Sequence, residues 1–251
     1  MQQLNTIDDV IVALGNIILE AENNNDTSAY FAALYRKVTI KVKEGIANNE
    51  FEDGARMEKL DVVFASRYIN AYYAWKNNKP VSASWQKAFD ISGNYWPIVL
   101  QHLLMGMNAH INLDLGVAAA EISKGKDINS LQNDFNKINT ILSSLVAEVQ
   151  NNLANIWPRL KWILQKTRRV DDFMVDFSMQ LSRDGAWKYA VSLAGNADGL
   201  DALIAARDKT VAEKSKIVTY DGFIASLVLS IIRIGERGSI KQKIERMKAT
   251  I

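Results

Sequence analysis

The chain has 251 residues, 48% of them hydrophobic and 23% charged, with a formal net charge of +2. Charge this close to balance, with no basic stripe interleaved with aromatics, argues against nucleic acid as a partner. The absence of cysteine removes disulfides, thiolate metal sites and cysteine nucleophiles and agrees with a reducing compartment.

Three prolines and thirteen glycines leave little material for strand turns, so helices are expected throughout. Thr6 and Asp9 form a capping pair ahead of "VIVALGNIILEA". The acidic residues there, where an export signal would be basic and then apolar, predict a cytoplasmic protein. The loop "NNNDTSAYF" ends in a second cap before "AALYRKVTIKV". A third helix, around Glu58 to Trp75, places Asp61, Ala65, Tyr68, Tyr72 and Trp75 in one line. "NNKPVSASW" breaks the pattern, and Ser82 or Ser84 caps a short helix through Phe89 that "SGNYWP" ends. Pro97 then stands as the first residue of a long helix.

That helix stops near Gly125, and "DINSLQNDFNKINTILSSLVAEVQNNLANIW" reads as a second long helix, antiparallel to it. Further helical segments follow, the last containing "FIASLVLSIIRI", which is shorter than the roughly 20 residues needed to span a bilayer. No membrane span is therefore expected. With no fixed-period repeat, the expected fold is all-α: a single domain over 1–251, a bundle of about eight to ten helices around a central histidine-bearing helix. Residues 235–251 read as a solvated basic terminal helix or tail carrying Arg237, Lys241, Lys243, Arg246 and Lys248.

Candidate chemistry gathers in "QHLLMGMNAHINLDLG", Gln101 to Gly116, which holds both histidines in a nearly apolar run. On an ideal α-helix His102 and His110 differ by about 80° and about 12 Å, too far for one ion. His110 and Asp114 differ by only about 40° and about 6 Å, so they converge on one ion or bond to each other. Glu121 falls on the face of Asp114, and Gly106 between the histidines leaves room for a ligand or a close helix. Gln101, Asn108 and Asn112 form a second polar stripe between apolar flanks, which points to a central helix with neighbours on most sides.

Three readings of this helix stay open. The polar groups form a network that only fixes packing; or His110 and Asp114 supply two ligands to a divalent metal ion, with a remote carboxylate such as Asp61 completing the shell; or Asp114 orients His110 as a general base in a dry pocket. His110, Asp114 and His102 are accordingly the candidate catalytic residues. Asn108, Asn112, Tyr68, Tyr72, Trp85 and Arg183 are the candidate substrate-binding residues. Farther along, Asp172 and Asp176 share a stripe with Arg183 just after Arg168 and Arg169, an acid pair answered by arginines or by an ion. No P-loop, dinucleotide fingerprint or nucleophile elbow is present. The expected function is a metal-assisted hydrolase, or a general-base lyase or isomerase, acting on a small, partly apolar substrate. The alternative is a non-enzymatic binding protein for an apolar small molecule or lipid. Apolar helix surface suggests a homodimer.

"LQHLLMGMNAHINLDLG", "DFNKINTILSSL", Arg183 and "AWKYA" resemble a bacterial family known only as a domain of unknown function, number 5995, most strongly from Trp85 to Ala190. The resemblance implies that His102, Asn108, His110, Asn112 and Asp114 fill signature positions, as do Asp134, Asn139, Arg183 and Trp187. It implies no activity.

Overall fold

A computed structural model describes residues 4–138, 141, 152, 155–157, 179–196, 199–219 and 223–248. Among the described residues the chain is helical and contains no strand, the all-α architecture that the composition predicts. α1 (Ile7–Asn24) opens on the expected capping box: Thr6 Oγ1 accepts from the Asp9 backbone N–H, and the Asp9 carboxylate accepts from that of Thr6. α2 (Ala29–Ala47) follows a turn in which Asp26 accepts from the Ser28 N–H at 2.8 Å, while the Ser28 hydroxyl makes no cap bond. α3 (Gly54–Lys76) is capped by Asp53. α4 (Ala83–Asp90) is capped by Ser82, and its Ala83 and Ser84 N–H groups donate to the Asp208 carboxylate at 2.6 and 2.9 Å, which satisfies donors that a helix start leaves open.

The histidine helix is built from three pieces: α5 (Val99–Ala109), a π-helical turn (His110–Asp114) and α6 (Leu115–Ile122). It starts two residues later than Pro97 suggests, because Ile98 is extended and two side chains cap the start. Gln101 Oε1 accepts from the Ile98 N–H at 3.1 Å, and Glu236 Oε1 accepts from the Val99 N–H at 2.8 Å. From Val99 to Ala119 every residue is buried except half-buried Met107. The helix is therefore central, as its two polar stripes imply. Glu121 is exposed, a correction to its expected place beside Asp114: it sits in the last turn of α6, past a π turn that breaks the ideal-helix spacing behind that expectation.

Beyond a 3-10 turn (Ile128–Leu131), a helix runs through 132–138. The later helices are α7 (Met179–Ala194), α8 (Leu200–Lys214), α9 (Lys216–Thr219), α10 (Phe223–Gly235) and α11 (Ile240–Lys248). Two apolar clusters result, and the histidine helix threads both. Leu103, Leu104 and Met105 join α1–α4, Ile244 and Met247 in one; Ile111, Leu115 and Ala118 join Leu131, Phe135, Ala186 and Ala190 in the other. Phe135, in the described start of the second long helix, shares this cluster with the first helix, while most of the second lies outside the described residues; α7 packs directly on the first. A Cβ on Gly116 would lie 2.5 Å from Tyr189 Cδ1 and 3.0 Å from the Ala186 carbonyl oxygen.

Gly106 lets α2 come close, since a Cβ there would overlap the Phe31 ring, and it also lines a small cleft beside His102. Gly106→Ala is expected to cost about 1–3 kcal/mol by overpacking, read as a lower urea midpoint; an unchanged midpoint would mean that α2 yields without strain. The basic terminus also departs from the solvated helix that its charges suggest. Lys243 is buried and donates to Glu236 at 2.7 Å, Arg233 donates to the same carboxylate at 3.0 Å, and Lys248 reaches Glu22 at 2.7 Å. Ile244 and Met247 need burial, and seating them carries Lys243 inward, where Glu236 answers its charge. Among the described residues no helix is long and apolar enough to cross a membrane.

Candidate functional site

The π turn spans His110 to Asp114; turns of this kind are rare and recur at functional sites. Within it His110 Nδ1 lies 3.3 Å from Asp114 Oδ2, so the local pairing expected from spacing is present. Two helices complete the carboxylate's surroundings. Arg67 Nε of α3 donates to Asp114 Oδ1 at 2.7 Å, and Trp85 Nε1 of α4 donates to Oδ2 at 2.8 Å. Asp114 is 1% exposed and His110 3%, so three N–H donors fix this carboxylate out of water.

His110 occupies an aromatic box. Its ring lies parallel to Phe64 with centroids 3.6 Å apart and 7° between planes, and Tyr35 meets it edge-on at 4.5 Å. Phe31, Trp85 and Tyr68 stand around it at 5.7, 5.9 and 6.1 Å. Burial pushes the His110 pKa below the ordinary histidine range, against the pull of the Asp114 carboxylate, which leaves a neutral ring at neutral pH. With Nδ1–H donated to Asp114, Nε2 carries the free lone pair, and Nε2 is buried with no hydrogen-bond partner. The Tyr35 hydroxyl and Asp61 Oδ2 are also buried without partners, and burial, followed by repulsion from Glu58, raises the Asp61 pKa to about 8.

His102 does not share this box. It lines a cleft between α2, α3, α4 and α5, together with Ser28, Phe31, Tyr68, Trp85 and Phe89. The rings of Phe31, Tyr68 and Trp85 form the layer between cleft and box, because each touches His110 and also lines the cleft. The cleft is small, with room for about one ordered water. Burial, and to a lesser extent the Arg233 charge, lowers the His102 pKa to about 3. Tyr72, one turn beyond Tyr68 on α3, is fully buried with its hydroxyl unpartnered near that of Ser28.

The amides do something else. Asn108 Nδ2 donates to the Val211 carbonyl at 2.9 Å, Asn112 Nδ2 to Asn108 Oδ1 at 3.0 Å, and Arg207 Nε to the Asn112 carbonyl at 2.8 Å. These bonds tie the central helix to α8, a packing role for both amides. Asp134 is likewise an anchor: its carboxylate accepts from the Glu52 and Asp53 N–H groups at 2.7 and 3.0 Å and sets the loop before α3. Trp187 packs on Phe135 at 4.9 Å. Arg183 lies on α7 with its side chain outside the described residues; Asn139, Arg168, Arg169, Asp172 and Asp176 also lie outside them.

Sequence reasoning missed Arg67 and Phe64. The available signal was their place beside the Asp61–Tyr68 stripe on α3, where a cation and an aromatic flank an otherwise buried face. Asp61 does not complete a metal shell: among the described residues no group of three or more His, Asp or Glu side chains is arranged to hold an ion. Both Asp114 oxygens already accept from N–H donors, so this donor set suits a positioned imidazole better than a divalent cation.

No curated protein and no solved structure matches the chain. The resemblance noted in the sequence is confirmed by a family model that matches residues 7–220, and the chain belongs to the Family of unknown function (DUF5995).

Proposed function

We propose that the protein is a general-base enzyme acting on a small, partly apolar substrate, with His110 as the base and Asp114 as the residue that positions it. The observation that carries this reading is His110 Nε2, buried and unpartnered on a ring whose Nδ1 faces a carboxylate held by Arg67 and Trp85. A lone pair kept free inside an aromatic box is costly unless something uses it, and a neutral ring of lowered pKa is in the base form at neutral pH. Nε2 would take a proton from a water or from the substrate, and Asp114 would stabilise the resulting imidazolium through Nδ1–H. Hydrolysis, elimination and isomerisation all begin this way. Phe64, half-buried on α3, covers one face of the imidazole and leaves the Nε2 lone pair in the ring plane uncovered by that stack.

The test is a panel of small esters, lactones and hydroxy acids, with turnover followed by NMR. The expected result is turnover that His110→Ala lowers by roughly 10²-fold or more and that His102→Gln retains. Because the base must be neutral, kcat/KM rises with pH through the His110 pKa, with its midpoint below the ordinary histidine value of 6.5. Turnover unchanged in His110→Ala would remove this residue from the chemistry. A second reading, a binding protein for an apolar small molecule, draws on the aromatic wall of the neighbouring cleft. Saturable binding with no turnover across the panel would favour it.

A further inference from the structure

Two arginines reach the π turn from outside the aromatic box. Arg67 of α3 spends its Nε on the Asp114 carboxylate and Arg207 of α8 its Nε on the Asn112 carbonyl, at 2.7 and 2.8 Å. Neither makes a hydrogen bond to any described residue through its terminal nitrogens. Neither has a nitrogen that is both closed to solvent and unpartnered, so these terminal nitrogens stand open to water. Both guanidiniums also pull down the Tyr189 hydroxyl pKa against its burial, which places both charges within electrostatic reach of that one group on α7.

The two differ in how their charge is answered. Arg67 pairs with Asp114. Arg207 is half-buried, and among the described residues no carboxylate pairs with it; burial pulls its pKa below the ordinary arginine value, opposed only by the Tyr189 hydroxyl. The acid beside it in the chain, Asp208, is committed elsewhere, since its two oxygens accept from the Ala83 and Ser84 N–H groups. A half-buried cation without a counter-charge is costly unless an anion answers it. The guanidinium is also held in place. Its Nε is fixed by the Asn112 carbonyl, its carbon lies 5.0 Å from the Tyr189 ring centroid, and a terminal nitrogen passes Gly185, where a Cβ would stand 3.7 Å away. Held in this way, the terminal N–H groups meet an anion with little freedom left to lose.

We propose that Arg207 binds the carboxylate of a small organic acid through its two terminal nitrogens, with Arg67 adding to the local field. Charge selects this class. Arg67 and Asp114 answer each other, which leaves one positive charge for a monoanion to match; a phosphate dianion would bring a second negative charge toward Asp114 and Asp208. A planar carboxylate also fits the paired donors of a guanidinium edge. The site uses none of the atoms of the His110 base and does not depend on that reading.

Titration of ¹⁵N-labelled protein with acetate, at constant ionic strength set by chloride, tests this through the Arg207 Nε–H and Gly185 amide resonances. Acetamide serves as the neutral counterpart and phosphate as the dianion. The expected result is a saturable shift at millimolar acetate, weaker binding of phosphate and no shift with acetamide. Arg207→Lys keeps the charge and loses the paired donors, and acetate binding, followed at Gly185, then weakens by about tenfold or more. No saturable shift with acetate, acetamide binding as well as acetate, phosphate binding more tightly, or unchanged affinity in Arg207→Lys would overturn the proposal. The titrations of the unaltered protein decide by themselves, so the proposal stays open to refutation even if the variant loses its fold. No turnover enters the measurement, so its failure and a failure of the general-base reading are separately visible.

Discussion

Asp114→Ala is expected to lower stability by about 3 kcal/mol, read as a shift in the urea midpoint. The substitution leaves the Trp85 indole N–H without an acceptor, which costs about 1–3 kcal/mol when buried, and strips Arg67 of its counter-charge. Arg67 is 29% exposed, so water screens part of that second loss and keeps the total near the lower end for a broken buried pair. Asp114→Asn separates the chemistry from the packing. Arg67 keeps an oxygen to donate to, but the amide nitrogen then occupies the position where Trp85 Nε1–H and His110 Nδ1–H both point. The imidazole relieves the conflict by moving its proton to Nε2, which closes the lone pair that the base needs. The expected result is a folded variant whose His110 ¹⁵N shifts report the Nε2–H tautomer, with turnover down by roughly 10²–10⁴-fold. An unchanged tautomer with unchanged stability would mean that Asp114 positions nothing.

The second large effect is on acid stability. His102 and His110 are both neutral in the fold, with pKa values lowered chiefly by burial. A histidine whose folded pKa lies below its unfolded value of 6.5 is protonated first in the unfolded chain. Stability is therefore complete above pH 6.5 and is lost as the pH falls. For His102, with a folded value of about 3, the loss extends down to that pH and reaches roughly 4–5 kcal/mol. Asp61 works in the opposite sense. Its folded pKa of about 8 stabilises the protonated fold below the unfolded value of 3.8, and that contribution is lost as the pH rises through 8. Unfolding free energy should therefore peak near pH 6.5. His102→Gln should flatten the acid limb and Asp61→Asn the alkaline limb, each measured by urea titration over a pH series. An acid limb unchanged by His102→Gln would show that the ring is protonated or solvated in the folded state.

The capping box at Thr6 and Asp9, the break before Ser82 and the apolar flanks of the histidine helix were all readable from residue order. So was the His110–Asp114 pair. Each depends on neighbours within a few positions, where helix pitch alone sets the geometry. The ideal wheel gave less where the structure departs from an ideal helix or ends one. It carried no sign of the π turn at His110–Asp114, which shifts the register of everything after it, and so it placed the exposed Glu121 beside Asp114.

By itself, then, the sequence determined an all-α chain with a buried central helix and a histidine and an acid one turn apart on it, because hydrophobic period and local spacing are properties of a single helix. Only the tertiary structure decided what that pair became. Arg67 and Trp85 reach Asp114 from positions 47 and 29 residues away, Phe64 stacks on His110, and the Phe31, Tyr68 and Trp85 rings part His102 from it. Glu236 holds the start of α5 from 137 residues away. Contacts of this range follow from how side-chain volumes and buried charges are satisfied when helices close on one another, and no periodicity within one segment records them.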